Sequence, residues 1–128
     1  MGDKLPYAKN YRELFVYKKA MTLADDIFKT SMGFPKEEVF SLTDQIRRSS
    51  RSVGAQIAEA WGKRLYIKHF VSKLTDAEAE LNETEHWIDI SHRCGYLSNT
   101  SRIDLLRQCH AIKTLLGGMI KKASLFCK

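Results

Sequence analysis

A chain of 128 residues, 44% of them hydrophobic and 28% charged, has the size and composition of one ordinary globular domain. The net charge of +6 is compatible with a polyanionic partner. The composition excludes a disordered or collagen-like chain, and no apolar run approaches the roughly 18 residues of a membrane span. Three cysteines, Cys94, Cys109 and Cys127, lack metal-ligand spacing, so we expect reduced thiols in a cytoplasmic protein with no membrane partner.

Four segments carry apolar residues at alternating steps of four and three, which is typical of helices that pack along a seam. The first predicted helix ends near Gly33, which suits an αL cap, and the second begins at Ser41, where Asp44 would complete a capping box. The fourth begins at Thr100 or Ser101, either of which can cap it. In chain order, the seams are Val16, Ala20, Leu23 and Ile27; Leu42, Ile46, Ser50, Val53, Ile57, Ala60 and Arg64; Phe70, Leu74, Ala77, Leu81, Thr84, Ile88 and Ser91; and Leu105, Cys109, Ile112, Leu116, Met119, Ala123 and Phe126.

The fold class follows from these seams. No segment alternates with period two over the length of a strand, so the sequence predicts no sheet. Four helices of about 20–28 residues, joined by short turns, predict an all-α protein, an antiparallel up-down four-helix bundle. We expect this bundle to span residues 11–128, preceded by a poorly ordered N-terminal segment over residues 1–10.

A four-helix bundle can hold a di-iron site built from two Glu-x-x-His motifs and two further Glu residues. Glu83 and His86 have this spacing on predicted helix 3, but the phase of the seam turns both side chains outward, and predicted helix 4 offers no second motif. Cys109 and His110 point about 100° apart on a helix, a poor geometry for an activated thiol. We therefore predict a non-enzymatic protein with no catalytic residue, no metal and no cofactor.

Charge is segregated along the chain. Residues 45–73 carry seven bases against one acid, whereas residues 74–101 carry six acids against one base. Bases along a rigid helix can neutralise phosphates, so we predict a nucleic-acid-binding surface on helix 2. Trp61 and Tyr66 lie among these bases and either stack on nucleobases or belong to the core or an interface. The candidate binding residues are Arg47, Arg48, Arg51, Lys63, Arg64 and Lys68.

Two alternatives remain open for this basic helix. It can instead serve a protein-interaction scaffold that docks an acidic partner protein. It can also contact another subunit, because small residues at Gly54, Ala58 and Gly62 share one helical face. That small-residue face fits either close packing within the bundle or a subunit interface.

Further features favour a homo-oligomer. Leu106 and Leu115 lie on opposite flanks of the helix 4 seam, a wider apolar arc than one bundle core requires. Acidic and basic faces on different helices are complementary, and such unlike patches favour head-to-tail contacts that close into rings. The candidate interface residues are Gly54, Ala58, Gly62, Leu106, Leu115, Glu78 and Glu85.

Six blocks of sequence together resemble a known family. They are Tyr11–Ala20, Phe34–Glu38, Leu42–Ser49, Ile57–Glu59 followed by Gly62–Arg64, Ala79–Thr84 and Gly95–Leu97. They resemble the four-helix-bundle proteins encoded in 23S rRNA intervening sequences, and the block Leu42–Ser49 is the most specific. The resemblance implies a bacterial protein that forms a homopentameric ring. Where that family usually has Ile-Pro-x-Asn, this chain has Val53-Gly54-Ala55-Gln56, so the proline that would kink helix 2 is missing.

The chain is also distantly similar to the accessory protein of diversity-generating retroelements, a basic barrel that binds nucleic acid and a reverse transcriptase. This similarity implies RNA or DNA, and a reverse transcriptase or another protein, as partners.

Overall fold

The computed structural model describes residues 8–127, and within that range it contains helices and no strand. The helices are α1 (Phe15–Ser31), α2 (Leu42–Gly62), α3 (Ile67–Arg93), α4 (Asn99–Lys121) and the short α5 (Ala123–Phe126), with 3-10 turns at Tyr11–Glu13 and Lys36–Glu38. The predicted all-α class is confirmed. Most of the N-terminal segment predicted to be poorly ordered, residues 1–7, lies outside the described residues. α2 runs without interruption through Gly54, as expected without the proline.

The core of the bundle is built from the predicted seams. Every seam residue of α1 is buried, and all seven of α3 are 0% exposed. The seams predicted for the second and fourth helices are buried except at Arg64 and Phe126, which are half-buried. Arg64 lies beyond the end of α2, and the fourth seam continues past α4 into α5. Steps of three and four keep these side chains on one side of each helix, so burying that side removes most of the apolar surface from water.

Contacts between α2 and α3 show that the two helices run in opposite directions. Near the turn that joins them, Lys73 forms an ion pair with Glu59 at 2.9 Å. Further from the turn, the Thr84 hydroxyl lies 2.9 Å from that of Ser49. The partner therefore moves forward along α3 as one moves back along α2.

Similar contacts join the other pairs of neighbouring helices within the chain. They are Arg47 to Ser31 at 2.8 Å between α2 and α1, Arg102 to Asp89 at 3.0 Å between α4 and α3, and Gln108 to Asp26 at 2.9 Å between α4 and α1. The first two join the start of one helix to the end of the preceding helix. Further from these connections, Lys113 of α4 pairs with Glu85 of α3 at 2.6 Å and Gly54 of α2 lies against Tyr17 of α1. Consecutive helices are therefore antiparallel, and α4 returns to α1.

The capping box predicted at the start of α2 is wrong. The Ser41 side chain caps no backbone N–H of α2; it donates to the Glu38 carboxylate at 2.6 Å. The same carboxylate oxygen accepts from the backbone N–H of Leu42 at 3.4 Å. A carboxylate from the preceding 3-10 turn thus lies at the positive end of the helix dipole, where negative charge is stabilising.

Two other predicted helix ends also differ. α4 begins after Ser98, whose hydroxyl accepts from the Ser101 backbone N–H at 3.1 Å, so neither Thr100 nor Ser101 is the cap. Among residues 8–127, the one glycine with positive φ is Gly95 at 81°, and Gly33 is therefore not an αL cap. Gly95 follows the end of α3, which lies at Arg93.

Candidate functional site

The six predicted nucleic-acid-binding residues fall into three positions on the bundle. Arg47 and Arg51 lie beside Phe28 of α1, and we call these three residues the Phe28 cluster. Arg48 lines a groove between α2 and α3. Lys63, Arg64 and Lys68 surround the turn from α2 to α3, and we call them the turn cluster. About 18 Å of helix separates Arg51 from Lys63, so the six residues follow the length of α2 instead of forming one patch.

The Phe28 cluster holds two guanidinium groups over one aromatic ring. The Cζ atoms of Arg47 and Arg51 lie 4.7 and 5.5 Å from the centre of the Phe28 ring. The Nε–H of Arg47 also donates to the Ser31 hydroxyl at 2.8 Å, which fixes that side chain further. Within residues 8–127 neither arginine forms an ion pair. Arg51 also lines a pocket with Asp25 of α1, so a carboxylate belongs to the surroundings of this cluster although no ion pair forms.

Arg48 has a different electrostatic environment. The groove that it lines has a volume of about 590 Å³ and also includes Glu80 and Glu83 of α3. Two carboxylates on the opposite wall repel phosphate and partly offset the charge of Arg48. Arg51 also lines this groove, so the carboxylates weaken phosphate binding at both residues, and Arg47 is the arginine of α2 that does not line it.

The turn cluster combines cations with exposed apolar side chains. The Arg64 Cζ lies 3.5 Å from the centre of the Trp61 ring, and its Nε–H donates to the Trp61 carbonyl at 2.9 Å. One face of Trp61 is thus occupied by Arg64. Tyr66, the other aromatic residue considered for stacking, is 60% exposed. Lys63 and Lys68 are exposed on either side of it.

Two further bases, which were not among the predicted binding residues, lie at the same end of the bundle. Lys121 and Lys122 lie where α4 passes into α5, and α5 packs on the start of α3 through Phe126 and Phe70, whose rings are 5.9 Å apart. Both lysines are exposed. The sequence does show that residues 102–128 carry six bases against one acid. It does not show that this segment, 50 residues away along the chain, lies beside the turn cluster in the fold.

The chemistry available to an enzyme is limited in the described part of the chain. Residues 8–127 contain no cluster of three His, Cys, Asp or Glu side chains that could hold a metal ion. Glu83 and His86 are exposed, as the seam predicts. Burial raises the pKa of the Cys109 thiol to about 12, so this group stays protonated and is a poor nucleophile. Over the same range, none of the helices combines the length and apolar character needed to span a bilayer.

Comparison with known proteins identifies the family. The model of the 23S rRNA-intervening sequence protein family matches residues 12–118. The chain belongs to this family. This confirms the resemblance seen in the sequence.

The family fold is also found in a crystal structure. A protein of the S23 ribosomal protein family from Bacteroides thetaiotaomicron, described as having unknown function, is 31% identical to this chain and superposes with a TM-score of 0.75. The match covers 83% of this chain and 95% of that one. No curated protein sequence matches the chain.

For this member of the 23S rRNA-intervening sequence protein family, the predicted interface residues of α2 lie in unlike environments. Gly54 is buried, and a Cβ there would lie 3.6 Å from the Tyr17 ring and 3.8 Å from the Met21 sulfur. These are ordinary van der Waals distances, so Gly54 packs against α1 within one chain and an alanine would also fit there. Ala58 is half-buried, whereas Gly62 is exposed with no other described atom within 4 Å of its Cβ position.

The remaining predicted interface residues lie on α3 and α4. Leu106 and Leu115 are half-buried and pack against the core from either side of the α4 seam. Glu85 forms a 2.6 Å ion pair with Lys113, so its charge is already compensated within the chain. Glu78 is half-buried on α3.

Proposed function

We propose that this protein is an oligomeric, non-enzymatic module that binds RNA through the Phe28 cluster and the turn cluster. The observation that carries the proposal is the pair of guanidinium groups held over Phe28 with no carboxylate partner in the described chain. A side chain that is already positioned loses less conformational entropy when it binds a phosphate. The description of the family, which links it to 23S rRNA intervening sequences, favours RNA over DNA.

Such a surface binds the nucleic-acid backbone instead of reading bases. Arginines and lysines spaced along α2 neutralise successive phosphates and release counterions. Phosphate contacts carry no sequence information. We therefore expect affinity to depend strongly on salt and weakly on sequence.

We further propose that five copies form a head-to-tail ring. The open face at Gly62, the half-buried flanks Leu106 and Leu115 and the segregated charge support this assembly. A pentamer would present the two clusters five times on one particle, which raises the effective local concentration of sites for one long RNA.

Replacing Arg47 and Arg51 together with alanine tests the proposal. Because two phosphate contacts are lost, RNA binding should weaken for all sequences alike, and the slope of log affinity against log salt should flatten by roughly one unit per contact. Fluorescence anisotropy with two unrelated RNAs over a salt series measures both effects. The matched control is Arg93→Ala/Arg107→Ala, which removes the same charge outside the two clusters.

Light scattering completes the experiment. The wild type should have about five times the chain mass of 14.7 kDa, and the double variant should keep that mass. A monomeric wild type would contradict the ring. An intact assembly with unchanged affinity and unchanged salt slope would exclude these arginines as the contact. A wild type that binds no RNA favours the competing function, a scaffold that docks an acidic partner protein.

A further inference from the structure

The turn between α2 and α3 projects three consecutive apolar side chains into solvent. Leu65, Tyr66 and Ile67 are 67%, 60% and 47% exposed. The backbone holds them firmly, because Tyr66 donates its N–H to the Lys63 carbonyl at 3.2 Å and accepts from the Phe70 N–H at 3.1 Å. We call these three side chains the apolar tip. Exposing them on an ordered turn is unfavourable unless something covers them.

Cations from two distant parts of the chain surround the apolar tip. Residues 60–72 and 114–127 meet at this end of the bundle through the packing of α5 on α3, and together they contain five bases and no acid. The bases are Lys63, Arg64, Lys68, Lys121 and Lys122. Within the described part of the chain none of the five forms an ion pair. An occupant of this end must therefore combine negative charge with an apolar surface.

The exposed ring of Tyr66 indicates whether a paired or an unpaired RNA fits this end of the bundle. Its aromatic contact within the described chain is with His69, edge to face at 5.3 Å, and most of the ring remains accessible. A base-paired RNA keeps its base faces stacked inside the helix and offers outer groups that are polar. An unpaired strand exposes base faces, which pack on aromatic and aliphatic side chains while nearby cations bind the phosphates.

We infer that this end of the bundle binds single-stranded RNA, with unpaired bases packed on Leu65, Tyr66 and Ile67 and phosphates bound by the surrounding lysines. The inference rests on the proposed function and adds the class of RNA. The bases continue along α2 to the Phe28 cluster, about 18 Å beyond Lys63. An extended single strand of RNA can follow such a line. An anionic bilayer has the same mixture of charge and apolar surface, but a flat bilayer touching the tip would leave the Phe28 cluster unused.

Binding of two RNAs to one variant tests the inference. The probes are an unstructured oligouridine and a perfectly paired RNA duplex with the same number of phosphates. The wild type should bind the single strand more tightly. Tyr66→Ala should weaken single-strand binding roughly tenfold, because one base-stacking contact is lost. Tyr66→Ala should not change the affinity for the duplex. It should also not change the slope of log affinity against log salt for either RNA, because the phosphate contacts remain.

Two variants serve as controls. Tyr66→Phe keeps the ring and should bind both RNAs as the wild type does. Phe40→Ala removes an aromatic side chain that is 95% exposed in the connection between α1 and α2, outside the apolar tip, and should change neither affinity. A tenfold loss in Phe40→Ala would mean that any exposed aromatic residue matters and would overturn the assignment to Tyr66.

The outcomes separate this inference from the function on which it rests. If the wild type binds both RNAs equally and Tyr66→Ala weakens neither, the single-strand site is wrong while RNA binding stands. If neither RNA binds, both proposals fail. Sedimentation with phosphatidylglycerol vesicles tests whether the apolar tip binds an anionic bilayer instead. If wild-type protein sediments with the vesicles, Tyr66→Ala does not, and single-strand affinity is the same for both, the apolar tip binds lipid and the inference is overturned.

Discussion

Glu38 connects two loops at one end of the bundle. Its carboxylate accepts from the Ser41 hydroxyl at 2.6 Å and from the Tyr96 hydroxyl at 3.0 Å. These donors, the Ser41 contact first, hold the pKa of the carboxyl below its ordinary value of 4.5. The connection between α1 and α2 is thereby joined to the connection between α3 and α4.

Replacing Glu38 with glutamine should therefore change stability in a pH-dependent way. A lowered pKa in the folded state means that ionised Glu38 stabilises the fold above about pH 4.5 and loses this effect as pH falls through the lower folded value. Glu38→Gln should be less stable than the wild type at pH 7, and the difference should shrink toward pH 3. Urea denaturation over this range measures it.

The matched control for that experiment is Glu37→Gln, because Glu37 lies in the same 3-10 turn and is exposed. Its stability difference from the wild type should show little dependence on pH. If the two variants follow the same pH profile, the carboxylate of Glu38 does not link the loops.

At the scale of single elements, α4 contains an unexplained pair of glycines. Gly117 and Gly118 lie in the helix interior, and no described atom outside their local helix backbone lies within 4 Å of either Cβ position. Close packing within the chain therefore does not require them. Each replacement by alanine should raise the free energy of unfolding by about 0.5–1 kcal/mol, because alanine loses less backbone entropy in a helix.

Gly95 provides the contrasting substitution for this test. Its φ of 81° lies in the left-handed region, so Gly95→Ala should be destabilising by roughly 1 kcal/mol. Urea denaturation at one protein concentration compares the three variants. Destabilisation by Gly117→Ala or Gly118→Ala would show that a neighbour outside the chain, such as a second copy, occupies the space.

The elements also show what the sequence could and could not predict. The α3 seam was predictable residue by residue, because its periodicity directly reports which side of a helix is buried. The start of α2 was not, since the group at its N-terminus is Glu38 from the preceding turn instead of the residue with the best capping propensity. Local propensity gives no information about a carboxylate that a tyrosine 58 residues away also binds.

For the candidate site, the sequence identified the bases but not their arrangement. It placed Arg47, Arg48 and Arg51 on one helix. Only the packing of α1 shows that Phe28 pairs two of them, and only the packing of α3 shows that Arg48 faces carboxylates. Lys121 and Lys122 reach the turn cluster through tertiary packing alone.

For the whole molecule, charge that is segregated along the sequence becomes charge concentrated at one end of a bundle. The antiparallel arrangement brings the end of α2, the start of α3 and the end of α4 together, and the bases of these segments add their potentials there. Arg47 and Arg51, which are held over Phe28, continue this basic surface along α2. The molecule therefore presents an elongated basic surface, and our central claim is that this surface binds RNA phosphates.

The salt dependence of RNA affinity tests that claim most directly. Wild-type affinity for an unstructured RNA should be measured between about 50 and 200 mM salt. If the five bases of the Phe28 cluster and the turn cluster contact phosphates, log affinity should fall against log salt with a slope of roughly −3.5 per chain. Absence of binding near 50 mM salt, or a slope close to zero, would contradict the account.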